Sequence, residues 1–177
     1  MKNIIMMTLV ASVAMVLCVS NKAMAAVPDG YKTHELANYR VSLPAEFVKS
    51  DGWSSEDNLS FNSNAVNVRD DGDEYLSSAN INVYEMEGSI EELNDYAQNM
   101  VGSARAMDEI CDEPIVEGNT VIVRSKSELD EGYVVYWRYI VINDDGRVAG
   151  GTISYYGADA KFYDGIVMPI IESIQFK

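Results

Sequence analysis

Between Ser78 and Ala104 the apolar period changes from two residues to about 3.6, and this change constrains the fold more than any other feature of the chain. Ala79, Ile81 and Val83 alternate with Asn80, Asn82 and Tyr84. That is the pattern of a strand with one side on a core and one polar side. Gly88 closes the connection and Ser89 opens a helix. Ser89 and Glu92 form an S-x-x-E capping box, in which hydroxyl and carboxylate each satisfy an orphan backbone N–H. Glu91, Glu92 and Asp95 set negative charge at the positive end of the helix. Ile90, Leu93, Tyr96, Ala97, Met100, Val101, Ala104 and Met107 then follow the i, i+3, i+4 spacing of one buried stripe. A half-apolar strand leading into an amphipathic helix requires a sheet for both to pack on.

The remaining strands supply that sheet. Tyr31 to Leu36 and Tyr39 to Leu43 read as short strands, the second ended by Pro44. Ala45 to Asp57 reads as an irregular loop pinned to the core by Trp53. Leu59 to Phe61 and Ala65 to Val68 are further strands. Ile115-Val116 and Thr120 to Lys126 flank Gly118-Asn119, a hairpin signal. Tyr133 to Ile142 is the longest strand. Tyr133, Val135, Trp137, Tyr139 and Val141 lie on one face, and Val134, Tyr136, Arg138, Ile140 and Ile142 on the other. Its two-sided apolar character places it centrally. The turn Asn143 to Gly146 returns the chain antiparallel through Val148 to Tyr156. Asp159 can cap a last helix with a stripe of Phe162, Ile166, Ile170 and Ile174. Pro169 should kink or split that helix, and Gln175 to Lys177 leaves as a final strand. Many antiparallel strands with two helices give an α+β class: an antiparallel β-sheet with helices packed on it.

Residues 1–25 are expected to be a cleaved secretory signal peptide. Lys2 is followed by an apolar run, Ile4 to Val19, broken only by Thr8 and Ser12, and then by the exit site Ala23-Met24-Ala25. The run is short of the roughly 20 residues of a bilayer span. Cys18 invites a lipoprotein reading, but Leu17 stands where such a signal needs a small residue. Residues 26–177 are expected to form a single domain. Taking Lys2 and Lys22 from the 13 basic residues leaves 11 against 28 acidic ones, a net charge of −17. Such a field argues against nucleic acid and anionic lipid as partners, and stable membrane insertion is not expected after cleavage. Cys111 is then the only cysteine, so an internal disulfide is impossible. Its acidic neighbours Asp108, Glu109, Asp112 and Glu113 disfavour a reactive thiolate.

Familiar catalytic signatures are missing. His34 is the only histidine, sits beside Glu35 in a strand, and reads as a structural residue rather than a general base. The chain has no G-x-S-x-G, P-loop or G-x-G-x-x-G motif. One histidine and one cysteine do not make a zinc site. Asp70, Asp71, Asp73 and Glu74 form a weak calcium candidate; Gly72 falls too early for an EF-hand, and a solvated acidic loop is the simpler reading. The sharper candidate is a polar sheet face. If Ile81 and Val83 face the first helix, Asn80, Asn82 and Tyr84 point the other way. Tyr136 and Arg138 would join them from the long strand, Ser154 and Tyr156 from the next, with Arg124 nearby. These amide, phenol and guanidinium groups suit a peptide or a small polar ligand.

The matching segments Tyr39-Arg-Val-Ser-Leu-Pro44, Ala79-Asn-Ile-Asn-Val-Tyr84, the helix Ile90 to Ala104, the hairpin Gly132 to Tyr156 and the closing Pro169 to Phe176 together resemble the PsbP/MOG-type superfamily. That superfamily includes photosystem II extrinsic proteins, a nuclear Ran-binding import factor and many secreted bacterial proteins. The resemblance covers nearly the whole chain after residue 25 and implies an α/β/α sandwich. It implies no common activity and carries over no site residues, because fold does not imply function. The expectation is a secreted, non-enzymatic binding or accessory protein of the bacterial periplasm or envelope, without a cofactor, acting on an unknown protein or small-molecule partner. The alternatives are a carboxylate-based hydrolase, which needs two carboxylates with perturbed pKa in a deep pocket, and a structural envelope component, which needs a broad apolar patch.

Overall fold

The computed structural model describes residue 27 and residues 29–63, 66–68, 74–76 and 79–177. The leader with its A-x-A site, and Asp70, Asp71 and Asp73 of the acidic loop, lie outside the described residues. The strands are β1 (Tyr31–Glu35), β2 (Tyr39–Pro44), β3 (Phe47–Lys49), β4 (Asn58–Ser63), β5 (Val66–Val68), β6 (Glu74–Leu76) and β7 (Ala79–Glu87). They continue with β8 (Ile110–Cys111), β9 (Ile115–Glu117), β10 (Thr120–Glu128), β11 (Tyr133–Ile142), β12 (Arg147–Tyr156) and β13 (Gln175–Phe176). The helices are α1 (Leu93–Ala106), α2 (Ala160–Tyr163) and α3 (Val167–Glu172).

One antiparallel sheet of eight strands runs β3-β4-β7-β12-β11-β10-β8, with β9 also paired to β10. A second sheet, β1-β2-β13, covers part of it, and β5-β6 form a separate hairpin. The alternation read in the sequence fixes the two faces. Ala79, Ile81, Val83, Val135, Tyr139, Ala149, Ile153 and Tyr155 are buried in one core with Tyr39, Val41 and Leu43 of β2 and with Val167, Ile170 and Ile171 of α3. On the other face Val121, Val123, Ile140, Ile142 and Val148 form a second core with Leu93, Ala97 and Val101 of α1. The architecture is thus α1, then the large sheet, then a layer of α2, α3 and the small sheet: an α+β fold arranged as an α/β/α sandwich.

Several sequence expectations need correction. Ile81 and Val83 do not face the first helix; they face the β2–α3 layer, because α1 packs over β10 and β11 on the opposite side. The Ala45 to Asp57 segment is not wholly irregular: Phe47–Lys49 pairs with β4, and Asp51–Trp53 makes one turn of 3₁₀-helix. The side chain of Trp53 lies outside what the structure describes. The stripe of α1 is shorter than its spacing suggests. Leu93, Ala97, Val101 and Ala104 are buried, whereas Ile90 and Met107 at the two ends overhang the sheet and are exposed. The capping box is present, but its first turn, Ile90–Glu92, is 3₁₀.

The last helix is split, as Pro169 foretold. The break is a 3₁₀ turn, Asp164–Ile166, between α2 and α3. It falls there because Pro169 cannot donate to the carbonyl of Gly165 four residues earlier, and its ring crowds that oxygen. The break also rotates the buried face. Tyr163, Val167, Ile170, Ile171 and Ile174 are buried, and Phe162 is turned outward. Asp159 occupies the position before α2 but its side chain makes no capping bond. Gln175 and Phe176 pair with β2, as expected of a final strand.

Candidate functional site

The even-numbered residues of β7 and β12 and those of β4 lie on the α1 side of the sheet. Register sets them in rows: Asn58 opposite Tyr84 and Gly150; Ser60 opposite Asn82 and Thr152; Asn62 opposite Asn80 and Ser154. Helix α1 covers the β10–β11 side of this face and leaves the β4–β7 side open. There a cleft of about 480 Å³ is lined by Asn58, Ser60, Asn62, Asn80, Asn82, Tyr84 and Thr152. Every lining side chain is uncharged.

The amides at its floor are ordered by one another. Nδ2 of Asn80 donates to Oγ of Ser60 at 3.1 Å, to the carbonyl of Phe61 at 3.0 Å and to Oδ1 of Asn62 at 3.0 Å. Nδ2 of Asn82 donates to Oδ1 of Asn80 at 2.7 Å. This chain fixes which way both amides point. The groups facing the opening have no partner among the described residues: Oδ1 of Asn82, the amide of Asn58, the hydroxyl of Thr152 and the phenol of Tyr84. Burial pushes the Tyr84 phenol up, with the charge of Arg138 opposing it, so it stays a neutral donor and acceptor. The phenol end of Tyr84 sits directly over Gly150, where a Cβ would lie 2.3 Å from Cε2. Gly151 does the same on the opposite face for Tyr139, its Cβ position lying 2.4 Å from Oη. The glycine pair lets two tyrosines cross β12, one on each side.

Of the seven residues predicted for the polar face, Asn80, Asn82 and Tyr84 line the cleft, and Ser154 stands opposite Asn80 in register but outside the lining. Tyr136 and Arg138 share the face but serve another purpose. Arg138 donates two bonds to Glu109, 2.8 Å to each carboxylate oxygen, and one of 2.7 Å to Oγ of Ser125, while its guanidinium lies 5.0 Å from the ring centroid of Tyr136. Oγ of Ser125 also donates to Glu109 at 2.5 Å. The Arg138 side chain is 15% exposed and that of Glu109 4%. Burial by itself raises the Glu109 carboxyl; the bonds from Arg138 and Ser125 and the Arg138 charge outweigh it and hold the group below the usual carboxylate range. Tyr156 is exposed at the end of β12, beside Val134 and outside the cleft lining. Arg124 lies on the other face, opposite Trp137 in register, stacked 5.4 Å from its ring and paired with Asp112 at 2.9 Å. It is not near the cleft.

Asn58, Ser60, Asn62, Thr152 and Glu109 were not found from the sequence. The first three were legible as the polar partners of Leu59 and Phe61, had β4 been paired with β7. Glu109 is placed by the end of α1. Asp108 adopts φ 59°, its N–H bonds the carbonyl of Arg105, and the N–H of Glu109 bonds that of Ala104. This is a Schellman ending with aspartate in the left-handed position, and it turns Glu109 back onto the sheet. Elsewhere, His34 is half-buried with Nε2 unpartnered and its ring edge-on to Phe61. Burial, then Lys32 and Lys49, push its pKa down. Among the described residues no cluster of three metal-ligating side chains occurs, and no helix is long and apolar enough to cross a membrane.

No family model matches the sequence, and no curated protein matches it significantly. Solved structures do match. The Ran-binding protein Mog1p of Saccharomyces cerevisiae superposes with a TM-score of 0.59 at 12% identity, over 82% of this chain and 94% of its own. PsbP (CyanoP) of the cyanobacterium Synechocystis superposes with a TM-score of 0.50 at 12% identity, over 86% of this chain and 96% of its own. The fold is of the PsbP/Mog1 type, as the sequence resemblance implied. At this identity the likeness extends to the fold alone.

Proposed function

We propose that this chain is an exported, non-enzymatic binding or accessory protein of a bacterial envelope, and that the cleft between β4, β7 and β12 holds its ligand. The observation that carries the reading is the set of amides and hydroxyls with unused hydrogen-bonding capacity, held rigid by the Asn80–Asn82 chain on interior strands. Rigid polar groups on a scaffold are what a binding site needs, since little ordering is left to be done when the ligand arrives. The lining holds no carboxylate pair to activate water, and the buried carboxylate beside it, Glu109, is committed to Arg138. That favours binding over a carboxylate-based hydrolysis. A neighbour of the same fold, Mog1p, is a Ran-binding protein, which supports binding as a use of this scaffold. Export rests on the Lys2, Ile4 to Val19 and Ala23-Met24-Ala25 pattern.

The test is purification of the gene product from its own envelope fraction, followed by denaturation and mass spectrometry of released small molecules. The wild type should carry a polar compound that Asn82→Ala and Tyr84→Ala do not. Identical profiles for all three would remove the cleft from consideration. Sequencing of the purified chain should start at Ala26; a cytosolic chain retaining Met1 would refute export.

A further inference from the structure

We infer that the ligand is a neutral sugar, a short oligosaccharide bound through its hydroxyls, a proposal that rests on the cleft being the binding site. Charge comes first. The lining residues Asn58, Ser60, Asn62, Asn80, Asn82, Tyr84 and Thr152 carry none, although the whole chain has 28 acidic and 13 basic side chains. The nearby cation, Arg138, stands opposite Thr152 in register but has both terminal guanidinium nitrogens engaged by Glu109 and Ser125. An anionic ligand therefore meets no free positive charge and is repelled by the acidic protein as a whole. A cationic ligand meets no carboxylate in the lining to offset its desolvation.

Hydrogen-bonding capacity comes second. The free groups are of both kinds: Oδ1 of Asn82 accepts, the amide of Asn58 donates and accepts, and the hydroxyls of Thr152 and Tyr84 do either. A ligand that satisfies all of them must also offer donors and acceptors in alternation across a compact surface, which is what the hydroxyls of a sugar do. A side-chain amide pairs with two adjacent hydroxyls at once, its oxygen accepting and its nitrogen donating. The rows stand about 4.8 Å apart between strands and about 7 Å along a strand, a grid on the scale of a hexose ring.

Topology comes third and argues against a peptide. A peptide that adds a strand needs a free sheet edge. The floor of this cleft is β7, whose ladder is bonded to β4 on one side and β12 on the other. Only side chains are on offer, and they are spread over a face.

The experiment is a titration of the isotope-labelled mature chain, residues 26–177, after export and cleavage. The probes are maltotriose, tri-N-acetylchitotriose, trigalacturonate, the glucosamine trimer and an uncharged capped alanine tetrapeptide. The readouts are the side-chain amide resonances of Asn58, Asn62, Asn80 and Asn82, with affinity by calorimetry. At least one neutral trisaccharide should shift those resonances saturably and bind about tenfold or more tighter than the charged trimer of the same size. Asn82→Ala should lose about tenfold in affinity, equivalent to about 1.4 kcal/mol, with its circular dichroism unchanged. Binding of a charged trimer as tight as that of the neutral ones overturns the proposal. So does a response to the tetrapeptide alone, in which case the cleft remains a binding site for another class. Silence from every probe overturns the sugar and counts against the cleft as well.

Discussion

The two halves of the α1 side of the sheet belong to one eight-stranded sheet and solve opposite problems. On the β10–β11 half, Val121, Val123, Ile140 and Ile142 meet Leu93, Ala97 and Val101, and the surface is closed by a helix. On the β4–β7 half, Asn58, Ser60, Asn80 and Asn82 occupy equivalent pleat positions, and no helix among the described residues covers them. The closed half lowers the free energy of the fold by removing apolar area from water. The open half contributes little to stability and leaves polar groups without partners. Arg138, Glu109 and Ser125 stand at the border, a charged pair sealed on the helix side. A single sheet face can therefore serve packing on one side and recognition on the other. The contrast is set by which residues alternate with the core and by how far the helix reaches.

The border should break first. Glu109→Ala leaves the largely buried Arg138 guanidinium without its carboxylate and should cost about 3–5 kcal/mol in urea unfolding, whereas replacing both members with apolar residues of similar size should cost far less. Acid should reproduce part of this. The Glu109 carboxyl titrates lower in the folded chain than its ordinary value of 4.5. Its stabilisation is thus complete above that value and is lost as pH falls through the folded one. Unfolding measured from pH 6 to pH 2.5, a window of about 3.5 units spanning that loss, should show wild type losing stability that Glu109→Gln, already without the charge, does not lose.

The glycine pair sharpens the contrast between faces. Gly151→Ala drives a Cβ to within 2.7 Å of the carbonyl oxygen of Asn82 and against the fully buried Tyr139. It should cost at the upper end of about 1–3 kcal/mol for an overpacked core. Gly150→Ala meets only the end of Tyr84, which can swing into the open cleft. Its thermal midpoint should fall less than that of Gly151→Ala, and its ligand binding should weaken. Smaller again, Ser89→Ala removes the hydroxyl that accepts from Glu91 at 3.2 Å and should cost about 1 kcal/mol. That loss falls on the closed half, so stability should drop with binding unchanged.

Much of the fold could be read from the order of residues, because alternation and helical spacing report burial directly. The alternation from Ala79 to Tyr84 and the two-sided pattern of β11 gave correct faces for the residues on them. Asn80, Asn82 and Tyr84 were found because a polar face on a strand is visible in one segment. What failed was anything needing two segments at once. Alternation says that Ile81 and Val83 are inside but not which layer lies on them, so the condition that they face α1 does not hold. Arg124 and Arg138 differ by one face, and only the register of β10 against β11 shows it. In the sequence Glu109 is one of four acids around Cys111. Its partner lies 29 residues away, and only the left-handed turn at Asp108 brings the two together.

The division of the face is tested most directly by a triple variant, Asn58→Ala, Asn82→Ala and Thr152→Ala, measured for unfolding midpoint and for retained small molecule in the same preparation. These side chains face an open cleft, so the variant should unfold within about 1 kcal/mol of wild type and should carry none of the compound that the wild type carries. Loss of several kcal/mol would make the open half part of the stabilising core, and an undiminished compound at wild-type stability would place the ligand elsewhere; either result contradicts the account.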